Sequence, residues 1–169
     1  YDVTVQVSDG NGGTATQAIA VTVTNVNEDP VITSAASASV AENQTAVLTV
    51  AASDIDADTP TFSIIGGADQ ARFTIDSVTG ELTFVTAPDF ENPTDVGTDN
   101  VYEVQVTVND GNGGTDNQLI SVTVTPVNDA PVITSSAITS VSENQTAVMT
   151  VTASDDDLPA NMLTYSLSG

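Results

Sequence analysis

The sequence predicts an all-β fold made of tandem β-sandwiches, and two observations support this. First, residues 1–56 recur as residues 102–157, so one structural unit is copied at an offset of about 101 residues. Second, apolar and polar residues alternate in short runs that are separated by Gly, Asn and Asp. About seven short strands in roughly 100 residues, without a helical period, are typical of a β-sandwich. We therefore expect almost no helix.

The strands of one unit can be placed in order along the chain. Two short strands open the unit at residues 31–33 and 38–40, and two longer ones follow at residues 46–52 and 61–65. Strands at residues 73–75 and 81–85 form a hairpin around a turn at residues 76–80. The last hairpin begins at Tyr102 and returns through Ile120, around a Gly-rich loop whose residues tolerate positive φ. Residues 1–24 repeat that hairpin.

The linkers define three segments. Pro30 and Pro131 fix the chain direction between copies. We expect residues 1–30 to end a preceding repeat, residues 31–129 to form one complete repeat, and residues 130–169 to open a following one. Neither outer segment is long enough to bury a core alone. Their ends should therefore fray or be completed by further chain.

The composition restricts the partners of the protein. Twenty-three acids face a single base, Arg72, which gives a net charge of −22. Nucleic acid and acidic membrane surfaces need basic residues, so neither is expected as a partner. No apolar run is as long as a membrane span, so we expect no membrane insertion of this segment. The chain has no Cys and no His, which removes disulfides, the usual zinc ligands and the commonest general base. So many carboxylates would repel one another in a compact fold, and we expect a bound divalent cation to offset that repulsion.

The acids cluster at strand ends and in loops, which gather at the two ends of a sandwich. If repeats stack end to end, Glu42, Asp89 and Glu91 of one repeat would face Asp155 and Asp157 of the next. The linker residues Asn128 and Asp129 would lie between them. Such an all-oxygen cage suits Ca²⁺, whereas Mg²⁺ prefers fewer protein ligands and retains more water.

The motifs of the complete repeat resemble those of the cadherin repeat. RFTIDSVTGELTF at residues 72–84 is similar to the family's paired-strand signature, and PDFE at 88–91 to its D-x-E motif. AEN at 41–43, DID at 54–56 and NDG at 109–111 resemble three further motifs, in the family's order. The DGNGGT and VNDAP segments look like the bacterial cadherin-like repeats of giant secreted or surface proteins. The resemblance implies tandem seven-stranded Greek-key (immunoglobulin-like) sandwiches, stacked end to end.

The resemblance also implies a ligand set for Ca²⁺ at each junction between repeats. At the junction after the complete repeat, it implies these ligands: Glu42, Asp89, Glu91, Asn128, Asp129, Asp155 and Asp157. At the junction before it, it implies these: Asn27, Glu28, Asp54, Asp56 and Asp110.

Two simpler interpretations compete with ligation. Residues 54–58 begin like an EF-hand loop, but Thr59 stands where Gly is needed and Ile65 where the bidentate Glu belongs, which argues against one. Acids in loops are commonly turn formers that bond the local backbone. We expect only that role for four acids: Asp76, Asp95, Asp99 and Asp116.

Function follows from repetition. A polymer of identical units spans or spaces and rarely carries one unique active site, so we expect no enzyme. The favoured function is a Ca²⁺-rigidified structural rod of a bacterial extracellular adhesin or surface fibre, secreted or on the cell surface. Its partners would be calcium ions, neighbouring repeats and other copies in a fibre. The alternative is an adhesive module in which the repeats themselves bind carbohydrate or another copy.

Overall fold

The strands account for almost all regular structure in the computed structural model, which describes residues 1–157 and 161–168. In chain order the elements are β1 (Asp2–Ser8), β2 (Thr14–Ala20), β3 (Val31–Ile32), β4 (Ser37–Ala41), β5 (Ala46–Thr49), β6 (Ala52–Ser53), β7 (Thr61–Gly66), a 3₁₀ turn (Gln70–Arg72), β8 (Phe73–Ile75), β9 (Glu81–Phe84), β10 (Val101–Asn109), β11 (Thr115–Thr125), β12 (Val132–Ile133) and β13 (Ala153–Ser154). Within the described residues, no helix is long and apolar enough to cross a membrane.

Two sheets face each other in the repeat. One has the strand order β4-β11-β10-β7 and the other the order β5-β9-β8. The β4–β11 pair is parallel, from Ser121 opposite Ser37 to Thr125 opposite Ala41, while β10 pairs antiparallel with both β11 and β7. This joins β4, the second strand of the repeat, to β11, its last strand. The predicted all-β, immunoglobulin-like sandwich is confirmed, whereas the segment boundaries and the end-to-end stacking of repeats stay predictions.

The alternating residues of β10 and β11 form the centre of the core. Val104, Val106, Val108, Ile120 and Val122 are all fully buried. Period-two alternation places them on one face of the sheet, against the shorter sheet. The rings of Phe73, Phe84 and Tyr102 pack there as well: Phe73 and Phe84 stack at 4.6 Å between centroids, and Tyr102 meets Phe84 edge-on at 5.2 Å.

The strand expected at residues 46–52 is divided in two. β5 pairs with β9 in the shorter sheet, and β6 pairs with β3 in a separate two-stranded sheet. Between them, the Val50 N–H donates to the Gly80 carbonyl and the Ala51 carbonyl accepts the Thr33 N–H. The strand is interrupted because its partner changes there, which alternation within one segment does not encode.

Several loop acids hold segments that lie far apart in sequence. Asp69 is 4% exposed and accepts the backbone N–H groups of Val96 and Glu103 at 2.8 and 2.9 Å. Asp95, also buried, accepts N–H groups of its own loop, as we expected of a turn former. Asp116 is different, because it lies in β11 and accepts the Ile32 N–H at 2.9 Å, which anchors β3 to the last strand. The prediction of a purely local role for Asp116 was therefore wrong.

Candidate metal centre

Acidic residues collect at both ends of the complete repeat, and two names are used for these groups. The Glu42 cluster comprises Glu42, Asp89, Glu91, Asp129, Asp155, Asp156 and Asp157. The Asp54 cluster comprises Glu28, Asp54, Asp56, Asp58 and Asp110.

Glu42 is fixed by the strand that delivers it. Its N–H donates to the Thr125 carbonyl at 3.0 Å, which continues the parallel pairing of β4 with β11 by one residue. Its side chain is 1% exposed and spans two segments: Oε2 accepts the Phe90 N–H at 2.9 Å and Oε1 accepts the Val127 N–H at 2.7 Å. Two backbone donors on opposite oxygens hold this buried carboxylate in one position.

The loop after β9 brings Glu91 to the same place. Asp89 Oδ1 accepts the N–H groups of Glu91 and Asn92 at 3.1 and 3.0 Å, which bends the loop into a tight turn. As a result, Glu42, Glu91 and Asp129 each offer an oxygen within 4.8 Å of the others. Desolvation, and then the charges of Glu42, Asp157 and Asp89, raise the pKa of Asp129. The arrangement thus concentrates negative charge, which a cation would relieve.

The acids of the C-terminal segment stand against the linker. Asp157 Oδ1 accepts the Asp129 N–H at 3.1 Å, and the Asp157 N–H donates to Asp155 Oδ1 at 3.2 Å. Asp156 lies beside Asp89 and Glu91 in the wall of an open hollow of about 400 Å³. The structure therefore brings the predicted residues of both segments to one place, and it adds Asp156.

The Asp54 cluster forms where β6 ends. Asp54 Oδ1 accepts the Asp56 N–H at 2.7 Å, and the oxygens of Asp54, Asp56 and Asp58 approach within 4.8 Å of one another. Asp54 Oδ2 is buried and accepts no hydrogen bond from the residues described. An orphaned buried carboxylate oxygen is costly, and a cation at this position would satisfy it.

The first linker closes over this cluster. Asn25 Nδ2 donates to Asp56 Oδ1 at 2.7 Å, and the Glu28 N–H donates to Asp56 Oδ2 at 2.9 Å. Both hydrogen bonds lower the pKa of Asp56, and the bond from the Glu28 N–H has the larger effect. The pKa of Glu28 is raised, first by desolvation and then by the charges of Asp56 and Asp54.

Asp110 is set by the Gly-rich loop of the last hairpin. It accepts the N–H groups of Asn112 and Gly114 at 2.7 and 2.9 Å, and the Asn27 amide at 2.8 Å. The Asn27 amide is the largest cause that lowers the pKa of Asp110. A Cβ at Gly114 would collide with the Asp110 carboxylate, so this loop requires Gly there.

The predicted ligands are thus gathered at two positions. Two of them, Asn27 and Asn128, do not present an oxygen there. Asn27 and Asn128 direct amide N–H groups, to Asp110 and to the Asp129 carbonyl respectively, and an amide nitrogen is not a ligand for a hard cation. Their ligand role therefore stays a prediction. Sequence reasoning missed Asp58 and Asp156, although each extends an acidic run, residues 54–58 and 155–157.

The donor set and the orphaned oxygen fit a hard cation. All side-chain groups that converge at the two clusters carry oxygen, and carboxylates predominate, which is the chemistry that Ca²⁺ prefers. In each cluster, three carboxylates place one oxygen apiece within 4.8 Å of the other two.

Comparisons with known proteins agree with this architecture. A family model described as Bacterial Ig domain matches residues 27–123. Human Protocadherin Fat 1 is 34% identical over 165 residues, a match that covers 88% of this chain but 3% of that protein. The chain therefore spans a small fraction of the curated relative that it matches.

Solved structures show the same fold. A protocadherin structure titled PcdhgB3 EC1-4 superposes with a TM-score of 0.60 at 28% identity, covering 93% of this chain and 40% of that one. A protocadherin gammaB7 EC3-6 structure superposes with a TM-score of 0.63 at 22% identity, covering 93% of this chain and 43% of that one, and its title describes a cis-dimer. At 22% identity, the likeness to the gammaB7 structure is evidence for a shared fold only.

Proposed function

The chain belongs to the bacterial Ig domain family and has a cadherin-like fold, and from this premise we propose that it is a calcium-rigidified structural segment of an extracellular bacterial adhesin or surface fibre. The observation that carries the proposal is the convergence of Glu42, Glu91 and Asp129 beside the linker to the next segment. The only base in the chain, Arg72, is not among the residues of this cluster.

A cation at this position would join three successive parts of the chain. Glu42 and Glu91 belong to the complete repeat, Asp129 to the linker, and Asp155 and Asp157 to the segment that follows. One ion shared among these groups would fix the angle between the two segments, and its loss would leave their charges opposed. The same reasoning applies to the Asp54 cluster and the linker before the repeat.

The choice of Ca²⁺ rests on the chemistry of the donors. The chain has no His and no Cys, so the imidazole and thiolate ligands that zinc sites use are absent from its sequence. Several carboxylates in one place suit the six to eight oxygen ligands of Ca²⁺ better than the octahedral, water-retaining shell of Mg²⁺. Extracellular calcium modules typically have dissociation constants of about 10⁻⁴ to 10⁻³ M, and we expect the same range here if the chain works outside the cell.

A structural role also fits the use made of the acids. Glu42 commits both oxygens to backbone N–H groups, and Asp110 accepts three donors, so these carboxylates act as anchors rather than as mobile acids or bases. We therefore infer that the segment is not an enzyme.

The proposal is tested by calorimetric titration of the chain with Ca²⁺ and, separately, with Mg²⁺. We expect Ca²⁺ to bind with a dissociation constant at or below about 10⁻³ M and Mg²⁺ to bind more weakly. Asp129→Asn should weaken the Ca²⁺ binding, whereas Asp2→Asn, which removes the same charge from an exposed strand position, should not. Equal weakening by the two variants, or no heat of binding, would refute the cage.

A further inference from the structure

A cavity of about 220 Å³ lies in the body of the repeat, between the 3₁₀ turn before β8 and the loop that follows β9. Two aromatic residues of the core, Phe84 and Tyr102, contribute to its lining and are 3% and 1% exposed. Thr86, Asn92 and Thr94 of the following loop add neutral polar groups. All lining residues come from one repeat, so the cavity is complete within it.

The wall of this cavity contains Arg72, the only base of the chain. Its backbone is fixed on both sides, because its N–H donates to the Asp69 carbonyl and its carbonyl accepts the Val85 N–H, each at 2.8 Å. Its guanidinium, in contrast, has no hydrogen-bond or ion-pair partner among the residues that the structure describes. A chain with 23 acids thus leaves its one guanidinium free at the wall of a cavity.

A second donor in the lining lacks a well-placed acceptor. The buried Tyr102 hydroxyl accepts the Thr94 N–H at 3.1 Å. Its own proton has one possible acceptor in the described part of the chain, Thr94 Oγ1, at 3.5 Å. Hydroxyl hydrogen bonds to oxygen are ordinarily about 2.5–3.0 Å long. A ligand oxygen in the cavity would therefore be a better acceptor for the Tyr102 proton than the protein supplies.

The same lining offers acceptors for hydroxyl groups and an apolar surface. Asp89 lines the cavity and commits Oδ1 to the N–H groups of Glu91 and Asn92, which leaves Oδ2 for a further donor. The side-chain amide of Asn92 can both donate and accept. Val85 and Pro88 supply apolar contact. The cavity therefore combines donors for a carboxylate, acceptors for hydroxyls and a surface for ring carbons.

We propose that this cavity binds a sugar acid, meaning a monosaccharide unit that carries one carboxylate. The carboxylate pairs with the guanidinium of Arg72, whose planar fork matches two carboxylate oxygens, and hydroxyls of the sugar donate to Asp89. The volume suits a single ring, because cavities for larger ligands are about 300–1,000 Å³. The net charge of −22 opposes an anion at long range, so we expect millimolar affinity. This site goes beyond the structural role and needs no metal ion.

NMR titration of the full chain in excess EDTA tests the proposal without any contribution from calcium. Sodium glucuronate should shift the backbone amide signals of Val85, Asn92 and Thr94, which line the cavity. Glucose has the hydroxyls without the carboxylate, and acetate has the carboxylate without the hydroxyls, so each should bind roughly tenfold or more weakly. Equal binding of glucuronate and either fragment overturns the proposal, as does the absence of shifts with glucuronate. A chain that binds glucuronate but not Ca²⁺ would refute the calcium cage and support this site.

Two variants of equal net charge show whether the carboxylate pairs with Arg72. Arg72→Gln and Gln17→Glu each make the chain more negative by one charge, but Gln17 is an exposed residue of β2. Arg72→Gln should weaken glucuronate binding by roughly tenfold or more, because a charge-assisted hydrogen bond is lost, whereas Gln17→Glu should bind as the wild type does. Equal weakening by the two variants overturns the proposal. Self-association that Arg72→Gln abolishes in sedimentation also overturns it, because a carboxylate of a second copy would then occupy the cavity.

Discussion

Glu42 and Val127 are joined at the end of the repeat, where Glu42 Oε1 accepts the Val127 N–H at 2.7 Å. The other oxygen of the same carboxylate accepts the Phe90 N–H. One buried side chain therefore sets both the start of the linker and the position of the loop that carries Glu91. Consequently, Glu42 has a structural role that persists without any ion, and mutation can separate this role from metal binding.

Replacing Glu42 by Gln should destabilise the repeat even in the presence of a chelator. The Gln amide retains one acceptor oxygen, so the N–H of Val127 or Phe90 loses its partner in a buried place, at a cost of about 1–3 kcal/mol. Urea unfolding in EDTA measures this loss. Glu81→Gln is the matched control, since Glu81 is exposed in β9 and should change stability by less than about 0.5 kcal/mol. A Glu42→Gln variant as stable as that control would contradict the anchoring role.

Calcium should raise the melting temperature of the chain and extend it. A ligand that binds only the folded state stabilises it by about 2.7 kcal/mol when its concentration is a hundred times the dissociation constant. Thermal melts and X-ray scattering with millimolar Ca²⁺, and then with excess EDTA, would measure both effects. Melts and scattering curves that are the same in the two conditions would exclude the metal from a structural role.

Asp155→Ala and Asp116→Ala should separate metal binding from folding. Asp155 lies in the Glu42 cluster, so its loss should weaken Ca²⁺ binding in calorimetry with little change in stability under EDTA. Asp116 anchors β3 through the Ile32 N–H, so its loss should lower stability by about 1–2 kcal/mol and leave the affinity for Ca²⁺ unchanged. Both variants remove one negative charge. Equal changes in Ca²⁺ affinity and in stability would therefore show that net charge, and not the position of each residue, determines both quantities.

The contribution of Asp76 to stability should disappear in acid. The N–H groups of Thr79 and Val78, and then the Thr79 hydroxyl, lower the pKa of Asp76 in the folded state. A lowered folded pKa means that the stabilisation is complete above the unfolded value of about 3.9 and is lost as the pH falls through the folded value. Wild type should therefore exceed Asp76→Asn in urea midpoint at pH 6, and the difference should shrink towards pH 3. A difference that is independent of pH would show that the charge of Asp76 is not involved.

The sequence predicts the core strands well because their information is local. Alternation in residues 101–109 and 115–125 identifies the buried face directly, and each buried valine is two residues from the next. The division between β5 and β6 was missed because it depends on which strand lies alongside. Asp69 and Asp116 were missed for the same reason, since their donors are 27 to 84 residues away.

The two acidic clusters show the same limit. Motif spacing is enough to place Glu42, Asp54 and Asp110 at the ends of the sandwich, because loops gather there. It does not reveal that Asp54 keeps a buried oxygen without a donor, or that Asp156 faces Asp89 and Glu91. Those features depend on how the turns orient each side chain.

The parallel pairing of β4 with β11 determines how the repeat responds to tension. Because the two strands run in the same direction, pulling on the chain before Ser37 and after Thr125 slides one strand along the other. The hydrogen bonds between residues 37–41 and 121–125 then resist in shear and must fail together, whereas an antiparallel pair joined by a turn can open one bond at a time. The pairing that closes the sandwich would therefore also act as a mechanical clamp between the two ends of the repeat.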